Sequence, residues 1–167
     1  VFAFFIARGF IKTGLGKRIA YYFISQIGKS TLGLSYGLIF TDFLLAPAIP
    51  SVTARGGGII FPIAKSLAEE YAAHDTNKQE KNRTGGFLMQ ICFQGNVITS
   101  AMFITAMAGN PLTVKLAAQA GIDISWSTWA LGAIVPGILS LLLLPLIVYW
   151  INPPSIRSLP NAPKKAK

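Results

Sequence analysis

One short stretch, Pro50-Ser51-Val52-Thr53-Ala54-Arg55-Gly56-Gly57-Gly58, concentrates the groups able to do chemistry. Ser51 and Thr53 supply hydroxyls that donate or accept. The glycine run leaves backbone amides open to close approach, and Arg55 carries a permanent positive charge. Together these suit an anion such as a carboxylate. A blander role fits the same residues, with Ser51 capping a helix after a proline turn and the glycines packing on a neighbouring helix. A second cluster, Thr105 with Gly109-Asn110-Pro111, predicts local unwinding, because proline lacks the amide donor and disfavours a helical residue before it. Asp42 is the one carboxylate inside an apolar run. It reads either as a proton or cation group or as a partner of Arg55 or of a backbone amide.

Other chemistries are excluded by count. The single cysteine, Cys92, allows no internal disulfide and no cysteine metal site, and the single histidine, His74, allows no multi-histidine site. No nucleophile is matched to a base. Gly14–Gly16 and Gly56–Gly58 resemble phosphate loops in glycine content alone, since no Gly-Lys-Ser/Thr follows a glycine-rich loop. Lys65, Lys78, Lys81 and Arg83 are offset by Glu69, Glu70, Asp75 and Glu80, which argues against nucleic acid as a partner.

The elements that must position the two clusters belong to a bilayer. Of 167 residues, 52% are hydrophobic and 13% charged, about half the charge of an ordinary soluble domain, with a net charge of +9. The expected fold class is an all-α integral membrane protein. Residues 127–151 are uncharged and long enough to span, with Trp126, Trp129, Tyr149 and Trp150 near the ends as an aromatic belt. Residues 87–111 form a second uncharged run, broken near 105–111. Its Gln90, Gln94, Asn96, Thr99 and Ser100 must face a bundle interior or a wet cavity. Residues 1–11 read as the end of a truncated span. Residues 12–30 read as an interfacial arm helix with Leu15, Ile19, Phe23 and Ile27 in one apolar stripe.

Charge fixes the topology between these pieces. Basic residues flank residues 31–64 on both sides (Arg8, Lys12, Lys17, Arg18 and Lys29 before; Lys65, Lys78, Lys81 and Arg83 after), and Arg157, Lys164, Lys165 and Lys167 follow the last span. Lysine and arginine accumulate on the cytoplasmic side. Residues 31–64 are therefore expected to enter and leave by one face, as a re-entrant helical hairpin with its tip near 50–58. Residues 65–86 are expected as a cytoplasmic loop that starts helical, 112–126 as an external loop and 152–167 as a cytoplasmic basic tail. The Asn82-Arg83-Thr84 sequon then lies on the wrong side for glycosylation.

The runs GFIKTGLGKRIAYYFI, APAIPSVTARGGGIIFPIAKSLAEE and TSAMFITAMAGNPL resemble the divalent anion:sodium symporter family. They look most like its branch of 2-oxoglutarate/malate translocators and citrate or tartrate/succinate antiporters. The resemblance implies most of the first of two inverted repeats, with an arm helix, a cytoplasm-facing hairpin and a broken helix. It also implies a homodimer in a bacterial inner membrane or plastid inner envelope. The family's Ser-Asn-Thr signature at the hairpin tip binds substrate carboxylate. Ser51 and Thr53 match it, and Val52 stands where the family has asparagine. Implied substrate contacts are Ser51, Val52, Thr53, Thr105, Gly109 and Asn110, with Arg55 as a candidate anion contact and a candidate sodium ion near Ser51 and Gly109. The implied function is part of a secondary transporter of dicarboxylates, working by exchange and needing the second repeat. A non-transporting membrane scaffold and a membrane-embedded enzyme stand as alternatives.

Overall fold

The computed structural model describes residue 9, residues 12–73 and residues 78–157. The expected end of a span at 1–11 (residue 9 apart), His74 and the tail beyond residue 157 lie outside these. The described chain is helical throughout. Helix α1 (Leu15–Ile27) leads to α2 (Thr31–Leu45). A turn leads into α3 (Val52–Arg55), which passes without interruption through a π-helical turn (Gly56–Ile60) into α4 (Phe61–Ala73). Then come α5 (Lys78–Met102), a 3-10 turn (Ile104–Ala106), α6 (Gly109–Gln119) and α7 (Trp126–Ile151). Among the described residues, α7 alone is long and apolar enough to cross a membrane.

Local chemistry explains the boundaries. Gly14, at φ 66°, takes the left-handed conformation that starts α1. The hydroxyls of Ser30, Ser51 and Ser125 cap α2, α3 and α7 by accepting from Gly33, Ala54 and Thr128 amides at 3.0, 3.2 and 3.1 Å. Pro47 and Pro50 hold the turn between α2 and α3 open. The chain leaves helical geometry at Phe103 and resumes it at Gly109, upstream of the expected break at 105–111. The reason is positional: Pro111 sits in the first turn of α6, where its missing amide has no intrahelical partner to lose. The segments expected as loops at 65–86 and 112–126 are largely helix, since α4, α5 and α6 run into them.

Helix α5 is the common neighbour of α2, α4 and α7. Contacts along it fix the directions. A Cβ at Gly95 would lie 3.2 Å from Ile39 Cγ1, and the Phe43 and Phe103 rings are 5.6 Å apart, so α2 runs with α5. A Cβ at Gly56 would lie 3.2 Å from Asn96 Oδ1 and one at Gly85 4.0 Å from Ala68, so α4 runs against it. Helix α7 also runs against α5: Trp129 Nε1 donates to Ala101 O at 2.9 Å, and the Phe87 and Tyr149 rings are 6.0 Å apart. Thr31 and α4 beyond Ala68 thus lie at one end of the bundle. The chain after α7 closes that end, with Thr31 N donating to Arg157 O at 3.2 Å, the Thr31 hydroxyl to Ile156 O, and Ile156 N to Thr84 Oγ1 at 3.2 Å.

The face of α1 that packs on the bundle is its small-residue face. Gly16, Ala20 and Ile24 face inward, with Ala20 and Ile24 wholly buried, whereas Leu15, Tyr22 and Ile27 point out. Small residues decide this. Gly16 admits Ile59, whose Cδ1 would stand 2.8 Å from a Cβ there. At the α1–α2 corner a Cβ on Gly33 would fall 1.9 Å from the Ile27 carbonyl oxygen, whereas Gly86 in α5 has nothing within 4 Å. Gly33→Ala should therefore destabilise the detergent-solubilised protein by about 1–3 kcal/mol, and Gly86→Ala should leave thermal unfolding unchanged or slightly raised.

Candidate functional site

The unwound segment after α2 and the unwound segment after α5 meet, and one side chain joins them. Arg55 is fully buried at the end of α3. Its Nε donates to Asp42 Oδ1 at 3.0 Å, Nη1 to Ile49 O at 2.9 Å and to Ala106 O at 2.8 Å, and Nη2 to Ser100 Oγ at 2.6 Å. Ile49 lies in the first unwound segment and Ala106 in the second. The Thr105 hydroxyl adds a bond across the same junction, donating to Pro47 O at 2.8 Å. A planar guanidinium is suited to this, because its donors radiate in one fixed fork.

Asp42, 2% exposed, completes the charge balance from α2. Besides Arg55 it accepts from Asn96 Nδ2 at 3.0 and 3.1 Å and from the Thr99 hydroxyl. Asn96, Thr99 and Ser100 recur at helical spacing on one face of α5, the face turned to Asp42 and Arg55. Those three were legible as an inward face of a membrane helix, their common partner was not, and Gln90 and Gln94, expected inward with them, are exposed on the described bundle. The buried ion pair was one of two readings of Asp42, and it is the one the structure contains.

A cavity of about 250 Å³ opens beside this network, between the first turns of α3–α4 and the outer face of α5. Val52 and Thr53 line it with Gly56, Phe61, Phe93 and Asn96. Of the expected substrate contacts Ser51, Val52, Thr53, Arg55, Thr105, Gly109 and Asn110, Val52 and Thr53 line the cavity. Ser51 is occupied as the cap of α3. Thr105 stands on the far side of the Arg55 junction, where Trp126 Nε1 also donates to it at 3.4 Å. Asn110 is buried, and its Nδ2 donates to Ser100 O and Phe103 O, both at 2.8 Å, closing the open end of α5 beside Gly109. Arg55 is corrected from an open anion contact to a clamp: four of its five N–H donors are bound within the protein and it does not line the cavity. Among the described residues no group of His, Cys, Asp and Glu is placed to hold a metal ion.

The family description "Sodium:sulfate symporter transmembrane region" matches residues 1–167. The chain belongs to this family. The sodium:sulfate symporter family is one of transporters, not enzymes. Curated relatives include the putative malate transporter YflS of Bacillus subtilis, 58% identical over 99% of this chain and 35% of that protein. Dicarboxylate transporter 1, chloroplastic, of Arabidopsis thaliana is 52% identical over 99% of this chain and 30% of its own length. Inner membrane protein YbhI of Escherichia coli is 46% identical over 95% of this chain and 33% of its own length. The chain thus spans about a third of the length of the relatives it matches.

The Arg55–Asp42 pair is sensitive to substitution, because removing one partner leaves the other charge buried and alone. Arg55→Met or Asp42→Leu alone should lower unfolding stability by about 3–5 kcal/mol. The double variant should lose less than the sum of the two, read by thermal or denaturant unfolding in detergent.

Proposed function

We propose that this chain forms one half of the substrate site of a secondary transporter that exchanges dicarboxylates such as malate, 2-oxoglutarate or succinate across a membrane. The carrying observation is the junction at Arg55, where two stretches of non-helical backbone are held together in the interior, with Phe103 and Thr105 against Trp126 at the start of α7. At membrane depth such backbone is tolerated only if buried in protein or lining a wet cavity, and substrate sites of transporters are built from it. The names of the relatives supply the substrate class.

In this reading residues 31–64 enter and leave the membrane by the cytoplasmic face, as a re-entrant hairpin with its tip at Ser51–Thr53. Support comes from the shared end of Thr31 and α4 in the bundle and from the basic flanks. At 1.5 Å per residue, α2 reaches only about 22 Å, too short to cross a core of roughly 30 Å. Helix α7 crosses it. The break between α5 and α6 faces the tip. Open amides at the start of α3, with the Thr53 hydroxyl, meet a substrate carboxylate, and Val52 offers it no side-chain hydrogen bond. Helix α1 acts as the arm. The remaining length seen in the relatives supplies the second repeat, and the whole protein works as a homodimer in a bacterial inner membrane or plastid inner envelope.

Exchange is favoured over sodium coupling by the clamp. The carbonyls of Ile49 and Ala106, which face each other near Ser51 and Gly109, already bind a fixed positive charge. A sodium ion at that junction would compete with the Arg55 guanidinium for the same oxygens.

Reconstitution of the protein at the full length of its relatives, in sodium-free liposomes preloaded with malate, tests this. External 2-oxoglutarate should exchange. Val52→Asn should lower KM roughly tenfold, the worth of one hydrogen bond to a charged group. If neither form exchanges any dicarboxylate, with or without sodium, a non-transporting scaffold replaces this function. Single cysteines at Lys29 and Lys65, in a Cys92→Ser background, should label from one face of the membrane, and labelling from opposite faces would sink the hairpin.

A further inference from the structure

The cavity beside Val52 contains a buried acceptor that no donor among the described residues satisfies. Asn96 is 6% exposed, and its Nδ2 donates to both Asp42 oxygens at 3.0 and 3.1 Å. A carboxylate only accepts, so the amide orientation is fixed and Oδ1 must face away from Asp42. It lies against Gly56, where a Cβ would stand 3.2 Å from it, and both residues line the cavity. Among the described residues no donor reaches Oδ1, although buried polar atoms are normally partnered. The Thr53 hydroxyl lines the same cavity and has no hydrogen-bond partner among the described residues. The other walls, Val52, Phe61, Phe93 and Val97, are apolar.

This combination rejects a carboxylate, because acceptor would meet acceptor, and the Arg55 charge behind the wall is already spent on Asp42. It accepts an uncharged carbon chain that carries a hydrogen-bond donor. We propose that Asn96 is a specificity-determining residue: its free carbonyl reads the substituent on the carbon chain of the dicarboxylate, selecting a 2-hydroxy compound over the unsubstituted or 2-oxo compound of equal length. The proposal rests on the transporter reading above. A hydroxyl gives Oδ1 its missing donor. A methylene leaves Oδ1 unpaired, and a ketone sets a second acceptor against it. The carboxylates stay outside this wall, at the amides and hydroxyls of the tip.

The test is competition for exchange in liposomes by the protein at full length, using malate, succinate and oxaloacetate as four-carbon probes. Malate should compete about tenfold better than succinate, the value of one buried hydrogen bond, and better still than oxaloacetate. Asn96→Ala should bring the three within about twofold of each other. Because that variant also strips Asp42 of a donor, Gly56→Ala is the companion: its methyl crowds Oδ1 at 3.2 Å and removes none of the Asp42 donors, at the cost of a shift of Asn96 by a few tenths of an ångström. It should flatten the preference in the same way. Equal competition by malate and oxaloacetate in the native protein overturns the proposal, as does a preference that survives Gly56→Ala. If no dicarboxylate competes at all, the transporter reading fails instead.

Discussion

The guanidinium of Arg55 is the constraint on which the rest of this structure depends. Two chain segments give up helical hydrogen bonding in the interior, and each leaves carbonyl groups facing the other. Like ends of peptide dipoles repel, and unpaired carbonyls away from water are destabilising. A buried cation that donates to both removes the problem, and the carboxylate of Asp42 then balances the cation. The α5 face carrying Asn96, Thr99 and Ser100 follows from that carboxylate and cation, since each needs further partners. Asn110 does for the last carbonyls of α5 what Arg55 does for the junction. The polar interior is thus one connected system, built outward from a backbone that had to be broken.

How much of this was legible in the sequence follows from the physics of each signal. The last span was plain, because twenty-odd uncharged apolar residues have few other fates. The two unwound regions were visible as proline and glycine clusters, and Ser51 read equally well as a cap or a ligand. What stayed hidden was pairing across long sequence separation. A pair between Arg55 and Asp42 was one reading the sequence allowed, but nothing local reveals that Ser100 and Ala106 also lie against the guanidinium. On α1 the period marks Leu15, Ile19, Phe23 and Ile27 as a stripe for the membrane interface, whereas the face that meets the bundle is set by the small residues Gly16 and Ala20, which the period does not reveal. The break after α5 was placed too far along because Pro111 was taken as a breaker, whereas it opens the next helix.

The helix bundle also shows why the tip is fixed at both ends. Its base is tied by Ile156 and Arg157 to Thr31 and Thr84, and its top by Arg55 to α2, α5 and the 3-10 turn. Between these anchors α5 packs on both arms. Glycines mark the closest approaches: Gly95 to Ile39, Gly56 to Asn96 and Gly137 to Met102, where a Cβ would lie 2.6 Å from the thioether. Packing of this kind derives from van der Waals contact rather than from exclusion of water, which is the regime of a helix bundle in lipid.

A clamp this well satisfied has a consequence for how the site discriminates. Charge recognition and shape recognition are separated in space. The positive charge is spent on backbone carbonyls and Asp42 behind the cavity wall, so it fixes geometry and is not available to select an anion by attraction. In the proposed site, anion binding falls to weakly polarised groups at the tip, backbone amides and the Thr53 hydroxyl, which would hold a carboxylate without gripping it. The proposed exchange would benefit from this, because a substrate bound by an open buried arginine would leave slowly. What remains in the cavity is a set of neutral contacts, Val52 and Asn96 foremost. Neutral contacts distinguish one dicarboxylate from another by the atoms between the charges, which is where the members of such a substrate class differ.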